Sequence, residues 1–178
     1  MTSALAPQQV KDLQASNGDG DGDEGGLSQV VSFQLSNEEY GLDIMSVQEI
    51  ILMGEITQIP EVPDYIQGLI NLRGKVIPIV DLRKRFRLEA SAPTEHTRIV
   101  VVNAGANTVG VIVDAVNKVL RIESDQIEPP PSGLAGLEQA YIQGLLKQEE
   151  KIMILLNMET VLSQDDQQLL AESTEAVT

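Results

Sequence analysis

The chain has 178 residues, a formal net charge of −15 at pH 7 and a 42% hydrophobic content. With no Trp, three Tyr and two Phe, it can bury an aliphatic core in one compact unit or two very small ones. The absence of cysteine excludes disulfides, thiolate chemistry and Cys-ligated metals, the acidity argues against nucleic acid and anionic membranes as partners, and no apolar run reaches the roughly 18 residues of a membrane span.

Residues 1–27 form an acidic arm. They carry one base and five acids without hydrophobic periodicity, so we expect this arm to be disordered. The segment NGDGDGDE resembles the start of an EF-hand loop, but Ser28 stands where the bidentate Glu is required, so we predict no calcium site. The N-terminus also lacks a signal-peptide pattern, which favours a cytoplasmic location.

From Ser28 the chain changes to strand-like patterning. QVVSFQL, a polar tip SNEE and YGLDI predict a β-hairpin. MSVQEIILM predicts a helical turn that runs into a strand, and the Pro-rich ITQIPEVPDY predicts a turn. The first third of the folded region is therefore expected to be short antiparallel strands.

The stretch 68–82, GLINLRGKVIPIVDL, predicts a second hairpin whose polar tip displays Arg73. Pro78 lacks a backbone donor, so we expect an edge or a bulge at that point of its strand. The basic cluster RKRFR that follows, residues 83–87, is predicted to be a solvated strand exit. Residues 88–95 then form a polar linker.

The second half of the chain repeats the first. At an offset of 69 residues, TRIVVVNAGANTVGVIVDAVNKVL aligns with SQVVSFQLSNEEYGLDIMSVQEII without a gap, which places Gly110 on Gly41 and Val116 on Val47. At an offset of 76, YIQGLLK aligns with YIQGLIN, five of seven residues being identical. Matches of this length in one order indicate a tandem duplication.

Each copy holds about five short strands, which typically close into a small barrel. We therefore predict a mainly β protein of two tandem five-stranded barrels that pack together, with short helical turns and a short C-terminal helix. The predicted bounds are 28–87 for the first barrel, 96–163 for the second, with ends free to cross between barrels, and 164–178 for an acidic helix end and tail.

The residues offer little for catalysis. His96 lies in the polar linker, and no P-loop, GxGxxG or GxSxG motif occurs. Asp43, Asp81 and Asp114 are expected to be strand ends or turn caps, and acid pairs such as Glu38 and Glu39 or Glu149 and Glu150 to be screened by water at hairpin tips. We predict a non-enzyme without cofactor or metal; a small β-barrel hydrolase using Asp81 or Asp114 is the enzyme alternative.

The tips of the two equivalent hairpins differ. The first copy has Asn71-Leu72-Arg73-Gly74 where the second has Lys147-Gln148-Glu149-Glu150, although the flanking strands remain alike. The fold alone therefore does not dictate the tip. Arg73 is either an ordinary turn residue or part of a contact surface.

With these motifs in view, the chain resembles CheW, the adaptor family of bacterial chemotaxis arrays. The resemblance covers Val30 to about Leu170 and rests on FQLSNEEYGLDIMSVQEI, GLINLRGKVIPIVDLR, VGVIVDAVNKVL and YIQGLLKQEEKIMILLNMETVL. It implies two SH3-like barrels and a scaffold that couples the cytoplasmic tips of chemoreceptors to the histidine kinase CheA. It implies recruitment to membrane-associated arrays without direct membrane insertion, and it allows contacts with other copies in rings.

The resemblance also implies site residues. A receptor groove would include Val47, Glu49, Ile50, Gly68, Asn71, Leu72, Arg73, Gly74, Ile99 and Val101. Contacts with the CheW-like regulatory domain of the kinase would include Val111, Val113 and Gly133. After VQEI, many relatives carry a basic residue and a glycine where this chain has Ile51 and Leu52, so an adaptor of a specialised, non-chemotaxis chemosensory pathway is the alternative function.

Overall fold

A computed structural model describes residues 27–105, 107–130 and 141–161. The predictions for residues 1–26, for Gly133 and for the tail beyond residue 161 lie outside these described residues. Within them the chain is mainly β, and β1 begins at Leu27, which the sequence analysis had counted as the last residue of the arm. The strands are β1 (Leu27–Leu35), β2 (Glu38–Asp43), β3 (Val47–Leu52), β4 (Ile66–Leu72), β5 (Lys75–Asp81), β6 (Arg98–Ala104), β7 (Asn107–Val113), β8 (Ala115–Glu123), β9 (Ile127–Glu128), β10 (Ile142–Lys147) and β11 (Ile152–Leu156).

Short helical segments join some of these strands. A 3₁₀ turn at Ile44–Ser46 leads directly into β3, which confirms the predicted helical turn running into a strand. A second 3₁₀ turn, Ser124–Gln126, separates β8 from β9. The helices α1 (Leu82–Arg85) and α2 (Met158–Val161) follow β5 and β11 at equivalent points of the repeat, so the predicted C-terminal helix begins at Met158.

The strands form two sheets. The five-stranded sheet has the order β3-β6-β7-β5-β4 and carries the turn with Arg73; we call it the Arg73 barrel. The six-stranded sheet has the order β8-β1-β2-β11-β10-β9 and carries the turn with Glu149; we call it the Glu149 barrel. The predicted mainly β architecture of two packed barrels is confirmed, and the sixth strand is the two-residue β9.

Each barrel is assembled from both copies of the repeat. The Arg73 barrel takes β3, β4 and β5 from the first copy and β6 and β7 from the second, and the Glu149 barrel has the reciprocal composition with β1 and β2. The leading hairpin of each copy has thus been exchanged. Residues 28–87 and 96–163 both contribute to both sheets, and the domain bounds stated from the sequence stay a prediction.

The packing at two equivalent glycines follows the repeat. Gly41 pairs with Leu155 and Gly110 pairs with Ile79, each across a parallel strand pair. A Cβ atom would lie 2.6 Å from Val30 Cγ1 at Gly41 and 2.7 Å from Ile79 Cδ1 at Gly110. Since both positions sit under close-packed side chains of equivalent strands, the duplication extends to the way the core is filled.

Apolar side chains collect in three clusters. The central core lies between the sheets and includes Val47 and Val116, which are 1% and 2% exposed at equivalent positions. The Glu149 barrel has its own small cluster around Met153, and the Arg73 barrel has another around Ile79. Strands in the middle of each barrel are therefore covered on both faces, which is the reason for their uninterrupted apolar runs.

The segment RKRFR is not the solvated strand exit that the sequence predicted. It forms α1 and its end, in which Arg83 is 4% exposed, whereas Lys84 and Arg87 do reach solvent. The Arg85 guanidinium stands over the rings of Tyr65 and Tyr141, at 5.6 and 5.4 Å from their centroids. Arg83 and Arg85 therefore point into the protein because carboxylates and aromatic rings there attract their positive charges.

Phe86 joins an aromatic row that crosses between the two copies. The rings of Phe33, Tyr40, Phe86 and Tyr141 stack in that order with centroid separations of 6.2, 5.8 and 4.9 Å. Burial, helped by the charge of Glu38, raises the pKa of Tyr40 to about 12. Four of the five aromatic residues of the chain therefore serve one packed row.

Pro78 lies in an inner strand, β5, opposite Leu69 of β4. The parallel ladder between β5 and β7 begins only at Ile79, so no β7 residue is paired with the proline. The expectation of an edge strand or a bulge at Pro78 is wrong, because β5 is an inner strand and the register shift between β4 and β5 lies between Ile66 and Gly68. The missing backbone donor is tolerated because the ladder on the β7 side starts only after Pro78.

Candidate functional site

The tip of the β4–β5 hairpin is a two-residue turn with an unusual backbone. Arg73 has φ +54° and Gly74 has φ +86°, so both central residues adopt the left-handed region that fits a tight hairpin. The Asn71 side-chain oxygen accepts a hydrogen bond from the Gly74 amide at 2.8 Å and braces the turn. An arginine in this conformation costs on the order of 1 kcal/mol, which points to a use for its side chain.

That side chain reaches the far edge of the same sheet. Arg73 Nη2 donates a hydrogen bond to Glu49 Oε2, and the two residues form a salt bridge. Glu49 lies on β3 and Arg73 follows β4, the two outermost strands of the five-stranded sheet, so the pair helps to close the Arg73 barrel. The Glu49 side chain is 8% exposed and the Arg73 side chain 65% exposed. A buried carboxylate thus holds a guanidinium whose outer face remains in solvent.

Polar side chains extend this surface beside Glu49. Gln48 Nε2 donates to Asn103 Oδ1 at 2.5 Å and to Thr108 Oγ1 at 3.2 Å, which joins β3 to β6 and β7. The register of β3 on β6 shifts between Val47 and Glu49, so the strand is irregular where Glu49 meets Arg73. Gln48, Asn103 and Thr108 were not among the residues predicted from the sequence. The sequence feature that could have identified them is that each is a polar residue in a largely apolar strand.

The predicted receptor-groove residues fall into exposed and buried sets. Asn71, Arg73 and Gly74 are exposed at the tip, and Leu72 is half-buried beside them. Glu49 is buried but takes part in the surface through Arg73. The remaining side chains are at most 1% exposed, so any effect on a partner would act through the position of their strands; they are Val47, Ile50, Ile99 and Val101.

Gly68 has a structural reason for lacking a side chain. Its φ is +143°, and a Cβ atom would lie 2.1 Å from the carbonyl oxygen of Thr57. The segment after β3 pairs directly with β4 here, through hydrogen bonds of 2.9 and 2.8 Å between Thr57 and Leu69. Gly68 therefore permits the close approach of two segments of the chain, the stretch around Thr57 and β4, which completes the barrel beneath the turn.

The residues suggested for the kinase contact are not surface side chains. Val111 and Val113 of β7 are both fully buried in the central core. The third residue, Gly133, lies outside the described residues. Their roles stay predictions, and burial limits Val111 and Val113 to an indirect effect through the placement of β7.

Leu52 is the most exposed large apolar side chain of the described residues. It ends the edge strand β3 and is 70% exposed, whereas its neighbour Ile51 is half-buried against the core of the Arg73 barrel. The run of four apolar residues at 50–53 breaks the alternation of a half-buried strand, and that break signals exposure of one of them.

The carboxylates considered for catalysis are bound by an arginine. Arg83 donates two hydrogen bonds to Asp81, both at 3.0 Å, and one to Asp114 at 2.7 Å. Burial alone would lower the pKa of Arg83, but the hydrogen bonds and charges of Asp81 and Asp114 outweigh it and raise that pKa. Both carboxylates are held as ion-pair partners, which leaves neither as a free nucleophile or base.

The other titratable groups considered for catalysis cap helical turns or lie at the surface. Asp43 caps the 3₁₀ turn by accepting from the Met45 amide at 2.9 Å, and Asp81 caps α1 by accepting from the Arg83 amide at 3.0 Å. The His96 side chain is 59% exposed, 3.5 Å from Glu95. Over the described ranges, no group of three or more His, Cys, Asp or Glu side chains is placed to hold a metal, and no helix is long and apolar enough to cross a membrane.

Comparison with protein families adds an independent observation. The profile of the CheW-like domain matches residues 29–166. A chemotaxis protein CheW from Klebsiella aerogenes is 41% identical over 138 residues, which cover 78% of this chain and 83% of the relative. The chemotaxis protein CheW of Treponema pallidum is 35% identical over 147 residues, covering 80% and 86%.

A solved structure agrees with the fold described above. The crystal structure of the scaffolding protein TtCheW from Thermoanaerobacter tengcongensis superimposes with a TM-score of 0.74 at 36% sequence identity. The match covers 83% of this chain and 95% of that one. This agreement supports the two SH3-like barrels that the resemblance implied.

Proposed function

Because this chain belongs to the CheW family of non-enzymatic scaffold proteins, we propose that it couples the cytoplasmic tips of chemoreceptors to the histidine kinase CheA. The observation that carries the proposal is the Arg73–Glu49 pair, in which a buried acid fixes an exposed guanidinium at the tip of a strained turn. An adaptor without catalytic groups acts through such fixed surfaces.

The chemistry of the pair suits recognition of a receptor hairpin. A guanidinium carries five N–H donors in one plane, and only Nη2 is bonded to Glu49, so the exposed side keeps donors for carboxylates or carbonyls of a partner. The anchoring acid removes part of the side-chain entropy that a free arginine would lose on binding. Lysine offers a point charge and cannot hold both contacts in one plane.

The second partner in this proposal is the regulatory domain of the kinase, and further copies of the adaptor are ring neighbours in an array at the membrane. The duplicated barrels support it, since two barrels built on the same plan offer two separate surfaces for two partners. Val111 and Val113 contribute by setting the position of β7, because they are buried and cannot contact the kinase.

The test compares Arg73→Ala, Arg73→Lys and Glu49→Gln in a reconstituted array of receptor, CheA and adaptor. We expect each variant to fold and to lose kinase coupling, with receptor binding weakened by about 2–5 kcal/mol where the contact is desolvated. Denaturation curves are recorded beside each activity measurement. Full kinase activation by Arg73→Ala would refute the proposal.

A double variant distinguishes a role of the Arg73–Glu49 pair in partner recognition from a role in closing the Arg73 barrel. Lys118 and Glu149 occupy the positions equivalent to Glu49 and Arg73, so the second copy carries the same two sites with reversed charges. The double variant E49K/R73E should therefore be more stable than E49K alone but should fail to couple. Restored coupling in the double variant would show that the pair serves closure only.

The alternative partner, a receptor of a specialised chemosensory pathway, rests on one observation. Leu52 offers an exposed apolar contact at the end of β3, the strand that also carries Glu49, at the position where the resemblance led us to expect a glycine. Leu52→Gly should weaken binding to such a specialised receptor and leave general chemotaxis receptors unaffected. Equal loss with both receptor types would remove this alternative.

A further inference from the structure

The Glu149 barrel carries an open groove that the proposed receptor contact does not use. It lies between the turn after β1, the start of β8 and the turn between β10 and β11. Its walls include Glu38, Glu39, Glu149 and Glu150 against Lys118 and Lys151, together with the exposed side chain of Ile152. Among the described residues the groove thus combines a surplus of negative charge with one large apolar group.

The groove is the counterpart, in the other copy, of the surface formed by Arg73, Glu49 and Gln48. The offset of 76 places Glu149 on Arg73, and the offset of 69 places Lys118 on Glu49. Asn117 corresponds to Gln48, and its contact with Gln34 at 3.4 Å corresponds to the contact between Gln48 and Asn103. The fold therefore presents the same platform twice, with the sign of the charge at the tip reversed.

Hydrogen bonds hold the Glu39 carboxylate in place at the base of the groove. The fully buried Ser32 donates to Glu39, and Gln148 donates to Glu39 Oε1 at 2.9 Å. Burial acts to raise the pKa of Glu39, but hydrogen bonds from Ser32, Gln148 and Asn117, with the charge of Lys118, outweigh it and lower that pKa. Glu39 was predicted to be screened by water; it is instead half-buried and fixed.

The rim acids are available to a partner. Glu38, Glu149 and Glu150 are exposed, and none of them takes part in a salt bridge within the described ranges. Ile152, with 51% of its surface exposed, stands in the same wall. Carboxylates around an exposed isoleucine complement a chain segment that alternates basic and apolar side chains.

We propose that this groove is a second docking site, which binds a basic, partly apolar segment of a partner protein. The site lies on the opposite barrel from Arg73, so one adaptor would hold two segments of opposite charge preference. Four carboxylates against two lysines argue against an anionic occupant such as nucleic acid. The acidic residues 1–27 and 164–178 of this chain are equally disfavoured as occupants because they carry the same sign of charge.

The experiment titrates the full chain into a fluorescein-labelled short peptide of alternating lysine and leucine and follows fluorescence anisotropy. We expect saturable binding that weakens as salt is raised. The charge reversal E149K/E150K should weaken binding at least about tenfold, and Ile152→Ser should weaken it several-fold through loss of the apolar contact. Both changes are at exposed positions, so thermal unfolding should stay close to that of the unmodified protein.

The matched control is E55K/E89K, which alters net charge by the same amount at exposed positions outside the groove. It should bind the peptide as the unmodified protein does. Equal weakening by E55K/E89K and E149K/E150K would overturn the proposal, since the attraction would then come from overall charge. So would absence of binding at low salt, or equally tight binding of an alternating glutamate and leucine peptide. Arg73→Ala should leave peptide binding unchanged, which keeps this test separate from that of receptor coupling.

Discussion

Replacement of Arg83 is predicted to be among the most destabilising single changes in the chain. Its guanidinium donates hydrogen bonds to Asp81 at the end of β5, to the carbonyl of Ser91 in the linker, and to Asp114. Asp114 lies where the chain crosses from the Arg73 barrel to the Glu149 barrel, and it also accepts a hydrogen bond from the Ser36 amide in the turn after β1. One side chain therefore ties the exchanged hairpin to the barrel beneath it.

The magnitude follows from what Arg83→Met leaves behind. Methionine has a similar length and fills the space, but Asp81 is 2% exposed and would keep a buried carboxylate without its guanidinium. Removing one partner of a buried ion pair costs about 3–5 kcal/mol, mainly through the charge that remains. In a domain of this size that loss lowers the melting temperature by roughly 6–20 °C.

The assay is chemical denaturation followed by circular dichroism, with calorimetry for the melting temperature. Lys84→Met and Arg87→Met remove the same charge from exposed positions of the same segment and should change the free energy of unfolding by about 0.5 kcal/mol or less. Adding Asp81→Asn to Arg83→Met removes the buried charge that has lost its partner, so it should recover part of the lost free energy of unfolding. If the Arg83→Met protein melts within about two degrees of the controls, Arg83 does not hold these segments together and the reasoning is refuted.

Two further predictions concern the repeat and the aromatic row. Val47→Ala and Val116→Ala should each cost about 1–3 kcal/mol in denaturation experiments because both valines are buried at equivalent places in the central core, and negligible effects at both sites would contradict the equivalence. Burial raises the pKa of Tyr40 from 10.0 to about 12, so its stabilising contribution is complete below pH 10 and is lost as pH rises through about 12. Tyr40→Phe should therefore flatten the decline of stability between these pH values by about 2–3 kcal/mol, and an unchanged decline would assign it to other groups.

Local patterns in the sequence were sufficient for the hairpins and for the repeat. Alternating apolar residues and short polar tips predicted β1–β2 and β4–β5, because a strand's side chains alternate between faces whatever lies beyond them. The tip with Arg73 was equally visible, since its glycine and flanking β-branched residues specify a tight turn. The two copies align because the same local patterns recur at fixed offsets.

The site was predicted only in part. Asn71, Arg73 and Gly74 were identified and are exposed, but the resemblance could not tell that Glu49 is bonded to Arg73 or that Gly68 passes under Thr57. Both contacts join segments that are distant in sequence and meet only when the barrel closes. The burial of Arg83 was missed for the same reason, because its carboxylate Asp114 comes from the other copy.

Which side chains reach the surface was decided by the tertiary structure. Val111 and Val113 look like one face of a strand that could be exposed, yet the sheet is covered on one face by the central core and on the other by the core of its own barrel. The exchange of leading hairpins is likewise invisible in the repeat, because exchanged and unexchanged copies have the same sequence and satisfy the same strand pairings. Chain connectivity at the two crossovers, Ile44–Ser46 and Asp114, selects the exchanged arrangement, since each crossover carries the chain from one sheet to the other within a few residues.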